Sequence, residues 1–349
     1  MLFKNLREIK SELEPLKKSV IMTILKDLNF KANDQIKAKL KQHFLRLITD
    51  SVNHREDYDR ALWVRLGYEL VGKRDWKDVL PAMLATEIDE ESITFIDDFI
   101  DDEVQRGRSP TLYKKHGTKH MIIANGIIIP ISVELLLKNA DTLNLDKKQQ
   151  KFLINILMSI NKEVSFYQFS ELFYGGIDVK NMTKSKWLDL YKFGTGGMIQ
   201  KYALIGAVFG NASKEELKAI SNIGMSVGIL QQIRDDYIDY IDNKTKIGKT
   251  PFTDIRNRRL KFPIILAYKY ANQKDKVKLE KILGKRDLTT YDKERIVRLI
   301  FNTEAIKEAI KFIKNLEADI VKNIKRLPNP TTSAKQCITE ILKLETNMF

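Results

Sequence analysis

Two groups of aspartates carry the chemistry this sequence offers. Asp97, Asp98 and Asp101 form one DDxxD pattern, and Asp235, Asp236 and Asp239 form a second. On a helix, residues i and i+4 share a face and i+3 lies beside it, so each pattern stacks carboxylates on one stripe. Like charges repel there, and a hard cation relieves the repulsion. Mg2+ takes oxygen ligands and usually shares them with substrate phosphates. Two such stripes suit several Mg2+ ions with a diphosphate between them. One pattern alone reads as well as an acidic surface turn. Two, far apart in sequence and each in an apolar helical context, point to metal and diphosphate. The four histidines (43, 54, 116 and 120) are scattered and lack transition-metal spacing. His116 and His120 are i, i+4 but have no third ligand, so they read as loop and surface residues.

The elements that must position these acids are helical. Ile306, Ala309, Ile310, Ile313, Leu316, Ile320 and Ile324 recur every three or four residues, which predicts one long amphipathic helix ended by Pro328 and Pro330. Ile220, Ile223, Val227 and Leu230 predict another that runs on into Asp235. Sustained period-2 runs, repeats and Ser/Gly-rich linkers are absent. The expected architecture is all-α: a single domain spanning 1–349, with residues 1–50 as N-terminal helices and irregular segments near 50–59, 104–117, 174–185 and 242–261.

Composition sets the outer limits. The chain has 349 residues, 43% hydrophobic and 30% charged, which excludes disordered and fibrous classes. One cysteine, Cys337, excludes an intramolecular disulfide framework and suits a reducing compartment. Met1 to Lys10 lacks the apolar core of a secretory signal, so a cytoplasmic location is expected. Met121 to Leu137 is the most apolar stretch. It contains Asn125, Gly126, Pro130, Ser132 and Glu134, and predicts a buried helix rather than a bilayer span.

Lys and Arg number 60 against 46 Asp and Glu, a net charge of +14 that calls for an anionic partner. Basic and aromatic residues are not interleaved as in a nucleic-acid surface, so phosphorylated substrates are the better match. Peripheral membrane contact is the most that a basic chain without an anchor motif suggests. The charge is uneven. Glu87 to Glu103 holds nine acids and no Lys or Arg; Lys244 to Lys261 holds seven basic residues and one acid, Asp254.

At these residues the sequence resembles the trans-isoprenyl diphosphate synthases, the polyprenyl synthetase family. FIDDFIDDEVQRGRSPTLYKKHG (95–117) looks like that family's first aspartate-rich motif with its trailing Arg-Arg-Gly-x-Pro-Thr segment. GILQQIRDDYIDYIDNKTKIGKTPFTDIRNRRLKFP (228–263) looks like the second, with its preceding Gln, its Gly-Lys loop and a following basic-x-Pro segment. The resemblance runs from about residue 55 to the C-terminal helices. It implies a helical bundle around a central cavity, Mg2+ dependence and commonly a homodimer. It also implies that the six aspartates bind Mg2+ and the diphosphate of an allylic substrate. The allylic C–O bond ionises, and the cation is attacked by the double bond of isopentenyl diphosphate (IPP). Metals neutralise the leaving diphosphate, nearby cations spread its charge, and a dry cavity protects the carbocation. The resemblance assigns charge-spreading to Arg106, Lys249, Arg259 and Lys261, and substrate binding to Arg60, Gln232 and Thr195.

The departures concern the second substrate. Arg60 matches the family's arginine in its Gly-Lys-x-x-Arg element, but Asp57 stands where the lysine belongs. Glu90 replaces a His or Gln seven residues before the first aspartate. Gly107 falls on the second arginine of the Arg-Arg-Gly element, with Arg108 beside it. Gly194 sits at the lysine of a Lys-Thr element whose Thr195 is kept. A diphosphate beside Asp57 and Glu90 would meet repulsion, unless Arg55, Lys73 or Arg74 takes a shifted register. Phe166, Phe169 and Phe173 share one helical face and read first as core; lining a cavity, they would suit a terpene cyclase. Three readings follow: a prenyltransferase, a terpene synthase acting without IPP, and a silent partner subunit.

Overall fold

The computed structural model describes residues 1–27, 34–54, 57–107, 109–241 and 251–347. These are α-helical almost throughout. The described strands are a two-residue antiparallel pair, β1 (Gln105–Arg106) and β2 (Ser109–Pro110). The chain divides into two compact units. The first is Met1–Ser159 with Tyr202–Leu217 and Leu327–Ile338; the second is Ile160–Lys201 with Lys218–Arg326 and Thr339–Phe349.

In the first unit, α1 (Leu2–Asp27), α2 (Gln35–Val52), α3 (Asp59–Leu70), α4 (Leu80–Ile100), α5 (Leu112–His116) and α6 (Thr118–Thr142) follow in order. α4 packs against α3 and α6, with α1 and α2 also in contact. It is buried on every side from Ala82 to Ser92, the mark of a central helix. Asp102, in the left-handed region at φ 55°, ends it. Aspartate is one of the few non-glycine residues that tolerate this conformation. The Glu103 N–H donates to the Asp98 carbonyl, and the chain turns back into β1.

The apolar stretch at 121–137 forms a helix, but it is not buried all round. In α6 the stripe Met121, Ala124, Ile128, Ser132 and Leu136 is buried, while Ile122 and Ile123 are more than half exposed. The helix is long and apolar enough to cross a membrane by length and composition. One face packs on α4 and the other carries isoleucines outward, so the expected wholly buried helix is corrected to a one-sided one.

α7 (Lys147–Gly175), α9 (Thr195–Phe209) and α10 (Lys214–Ile238) each supply residues to both units. The second unit also contains α8 (Lys184–Tyr191) and the helices Phe262–Tyr270 and Thr303–Ile324. The long amphipathic helix occupies Thr303–Ile324 and buries Ala305, Ala309, Ile313, Leu316 and Ile320. α10 runs to Ile238 and buries Ile220, Ile223, Val227, Leu230 and Ile233. Gly228 lets α10 approach the start of α9: a Cβ there would stand 2.6 Å from the Thr195 carbonyl oxygen. That contact brings Gln232, one turn further on, to Thr195.

Phe166, Phe169 and Phe173 do not form core. They are 50%, 66% and 62% exposed on α7, so the expectation of a buried aromatic stripe is overturned. On the same helix Tyr167 is half-buried, and its hydroxyl donates to Glu171 at 2.6 Å.

Candidate active site

The first aspartate cluster stands at the C-terminal end of α4. Asp98 is buried and fully engaged. His54 Nε2 lies 2.9 Å from its Oδ2, and Arg106 Nε donates to its Oδ1 at 2.8 Å. Arg106 also lies 3.6 Å from Asp97 Oδ2. The β1–β2 turn explains this reach: Gly107, at φ +61°, reverses the chain and leaves Arg106 beside α4. Burial works to raise the Asp98 pKa, but the hydrogen bonds from His54 and Arg106 prevail and hold it below the ordinary aspartate range. Asp97 points outward, its side chain 46% exposed, and Asp101 caps the helix at half-buried depth.

The second cluster stands at the end of α10, where the groups that hydrogen-bond its buried acid are neutral. Asp236 is buried. Its Oδ2 accepts from Tyr191 Oη at 2.9 Å and from the Phe262 N–H at 3.3 Å. Its Oδ1 accepts from Gln232 Nε2 at 2.9 Å, and Gln232 Oε1 accepts from Thr195 Oγ1 at 2.5 Å. Burial pushes Asp236 up to about 7, against the pull of Lys261 and these hydrogen bonds. Asp239 accepts from the N–H groups of Thr253 and Asp254, each at 3.1 Å, and so anchors the short helix Thr253–Arg256. Asp235 faces outward, 49% exposed, with Arg234 at 3.1 Å.

These donors fit a hard divalent cation. Both clusters offer oxygen ligands, and each keeps one carboxylate directed to solvent while its buried neighbour is fixed by protein groups. Among the described residues, no group of three or more His, Cys, Asp or Glu side chains is gathered as a preformed metal centre. Asp97 with Asp101 and Asp235 with Asp239, each i, i+4, are the pairs that would hold Mg2+ on each stripe.

The other expected residues divide into those that converge and those that do not. Gln232 and Thr195 meet at Asp236, and Arg106 meets Asp98. Arg60 is buried in α3, where Nη2 donates to Glu90 Oε1 at 2.7 Å and Nη1 pairs with Asp59. Tyr202 Oη donates to the other Glu90 oxygen at 2.9 Å. The expected repulsion at Glu90 is thereby corrected, because its charge is neutralised within the fold. Arg259 is half-buried, its N–H donating to the Asp254 carbonyl at 2.7 Å. Lys249, Arg55 and Arg108 lie outside the described residues.

His54 is the functional candidate that spacing did not reveal. It lies 44 residues before Asp98, at the end of α2, and no local pattern links the two. His116, read as a surface residue, pairs with Asp50 at 2.8 Å instead.

Behind the second cluster, Glu308 ties three elements together. It accepts from Lys269 at 2.5 Å, Tyr270 at 2.7 Å and Lys184 at 3.3 Å. The bundle of contacts fixes the helix Phe262–Tyr270, whose first N–H reaches Asp236. Burial works to raise the Glu308 carboxyl, but its three partners prevail and hold it at about 2.

The family profile described as polyprenyl synthetase matches residues 42–300. A short chain isoprenyl diphosphate synthase of Methanocaldococcus jannaschii is 27% identical over 70% of this chain and 68% of its own. A geranylgeranyl diphosphate synthase of Methanosarcina mazei is 27% identical over 74% of each. Among solved structures, a geranylgeranyl pyrophosphate synthase superposes with a TM-score of 0.81 at 18% identity, covering 97% of this chain and 98% of that one. The geranylgeranyl pyrophosphate synthetase of Pyrococcus horikoshii Ot3 gives 0.79 at 19% identity, covering 99% of both.

Glu308 yields a pH prediction. Its folded pKa is depressed, so its contribution is full above its ordinary value of 4.5 and disappears as pH falls to about 2. Glu308→Gln is expected to lower the Tm near pH 7, with the difference from wild type shrinking as pH falls below 4.5 and vanishing only below about 2. Thermal melts across that range check it.

Proposed function

The chain belongs to the polyprenyl synthetase family, and on that premise we propose that it is a prenyltransferase that elongates an allylic prenyl diphosphate with IPP. The observation that carries this reading is the paired aspartate clusters, each with one acid buried and compensated and one turned outward. Bound Mg2+ would supply positive charge to the leaving diphosphate. The chain's own groups do the rest. Arg106 lies against Asp97 and Asp98, where it offsets their charge. Gln232 and Thr195 orient Asp236, and Asp239 fixes the short helix that follows. The allylic C–O bond breaks to release diphosphate and leave a carbocation. The IPP double bond attacks that cation, and a proton leaves the adduct to give the longer diphosphate.

Two findings support IPP as the acceptor. Glu90 is paired with Arg60 and Tyr202, so it no longer opposes a second diphosphate. Phe166, Phe169 and Phe173 face outward, which removes the main support for a cyclase. The names of the relatives favour a short-chain product of the geranylgeranyl type.

We also propose that the working form is a homodimer. α6 and α7 each expose an apolar face, Ile122 and Ile123 on one and Phe166, Phe169, Leu172 and Phe173 on the other. Exposed patches of this kind mark interaction surfaces, and a second copy is the partner the family suggests. Sedimentation velocity is expected to show twice the chain mass of 40.5 kDa, with Ile122→Glu shifting it to monomer; a wild-type monomer would contradict the proposal.

The activity is tested by incubating the protein with Mg2+ and allylic diphosphates of increasing length, with and without labelled IPP. Longer diphosphates that require IPP are expected. Hydrocarbons or alcohols formed without IPP would establish a terpene synthase, and no turnover would favour a silent subunit. Asp98→Ala and Asp236→Ala are each expected to abolish Mg2+-dependent turnover while leaving helical content unchanged by circular dichroism.

A further inference from the structure

α2 is packed at one end only. Its last turns bury Leu47, Ile48, Ser51 and Val52, whereas every residue from Gln35 to Leu40 is exposed. The exposed end is nonetheless helical, and local forces hold it. Asp34 caps it, accepting from the Lys37 N–H at 2.8 Å, and the Gln, Lys, Ala and Leu that follow are good helix formers. Ile36, Leu40, Phe44 and Leu47 recur at i, i+4, i+8 and i+11 and so share one face. That face runs from buried Leu47 through half-buried Phe44 to Leu40 and Ile36, which are 56% and 80% exposed. The apolar stripe therefore continues beyond the part of the helix that the fold covers.

Charge singles this stripe out. Lys37 and Lys39 stand on either side of it, and Lys41 lies one turn after Lys37. From Gln35 to Arg46 the chain has four Lys or Arg and no Asp or Glu. α1, which touches α2 within the same unit, sorts its charges in the same sense. Its acids are engaged by the fold: Glu8 pairs with Arg65 at 3.1 Å and Glu12 with Lys77 at 2.6 Å. Lys18, Met22 and Lys26, each one turn apart, are exposed.

We propose that the projecting half of α2, Ile36 to Lys41, docks the protein on an anionic lipid surface. A bilayer with acidic headgroups answers both features of the stripe. Ile36 and Leu40 enter the boundary between headgroups and acyl chains, while the lysines stay at the level of the phosphates with their stems along the apolar layer. A second copy of the chain is a poor occupant, because two such stripes would set lysines against lysines. Nucleic acid would meet the lysines but leave the aliphatic pair without a partner. The projecting residues take no part in the aspartate clusters, so this inference stands apart from the diphosphate reading.

The test is flotation of the full chain with vesicles of phosphatidylcholine alone and of phosphatidylcholine with about one third phosphatidylglycerol. Wild type is expected to float with the anionic vesicles only, and to detach as salt rises toward roughly 1 M, where charges are screened within a few ångströms. Ile36→Ser with Leu40→Ser keeps every charge and is expected to weaken binding about tenfold or more. Lys37→Gln, Lys39→Gln and Lys41→Gln together keep the apolar stripe and are expected to weaken it at least as much, at roughly fivefold per lysine. Both sets lie outside the packed core, so melting temperatures are expected to match wild type. Leu40→Trp is expected to gain fluorescence that lipids brominated in the upper acyl chain quench. No flotation of wild type would overturn the proposal. Unchanged flotation of the serine variant would show adsorption by net charge alone and overturn it equally. So would a lipid-free dimer that the serine variant converts to monomer, because the stripe would then face a second copy.

Discussion

Carboxylates stacked on one turn of helix repel, and the fold around both clusters is arranged to hold that repulsion in check. In each cluster the middle acid is buried and compensated from within. Asp98 meets His54 and Arg106, and Asp236 meets Tyr191, Gln232 and the N–H of Phe262. The compensation differs in kind. Hydrogen bonds from His54 and Arg106 hold Asp98 below the ordinary range; burial leaves Asp236 at about 7, against the pull of Lys261 and of its hydrogen bonds from Gln232, Tyr191 and Phe262. Each solution recruits its own scaffolding. The first needs the left-handed Asp102 and the turn at Gly107, which return Arg106 to α4. The second needs Gly228, which draws α10 onto Thr195, and the Glu308 contacts that hold the helix Phe262–Tyr270 in place.

The same rule operates away from the clusters. Glu90 is buried without harm because Arg60 and Tyr202 occupy both of its oxygens. Lys261 is buried without harm because Glu171 and Tyr167 occupy its ammonium. The buried charges at these positions meet partners within the fold, and Asp97 and Asp235 keep side chains 46% and 49% exposed. Such carboxylates have no intrinsic attraction for a diphosphate. They would acquire one through hard cations, which is the physical link between such acids and the diphosphate substrate proposed for them.

Much of this was legible in the residues themselves. Period 3.6 located α10 and the helix Thr303–Ile324, and the two DDxxD patterns named the acids that stand at the ends of α4 and α10. Gln232 and Thr195, both expected there, meet at Asp236. What the sequence hid has physical reasons. His54 reaches Asp98 through tertiary packing, across 44 residues, so no spacing announces it. Glu90 read as a repulsive charge because its partners, Arg60 and Tyr202, stand in other helices. The Phe166 stripe read as core because periodicity shows that a face is apolar but not what covers it, and α6 misled in the same way. Lys261, expected among the cations that spread the diphosphate's charge, is buried against Tyr167 and Glu171, partners on another helix that no spacing announces.

The central proposal is that Asp97 in one unit and Asp235 in the other each bind divalent cations when a diphosphate is present, while their buried neighbours hold each stripe in place. The direct measurement is a count of Mn2+ bound per chain, by electron paramagnetic resonance, with a non-ionisable allylic thiodiphosphate present. The account predicts bound ions that depend on the analogue and a reduced count in both Asp97→Asn and Asp235→Asn. An unchanged count in both variants, or no bound ion in wild type with the analogue present, would contradict it.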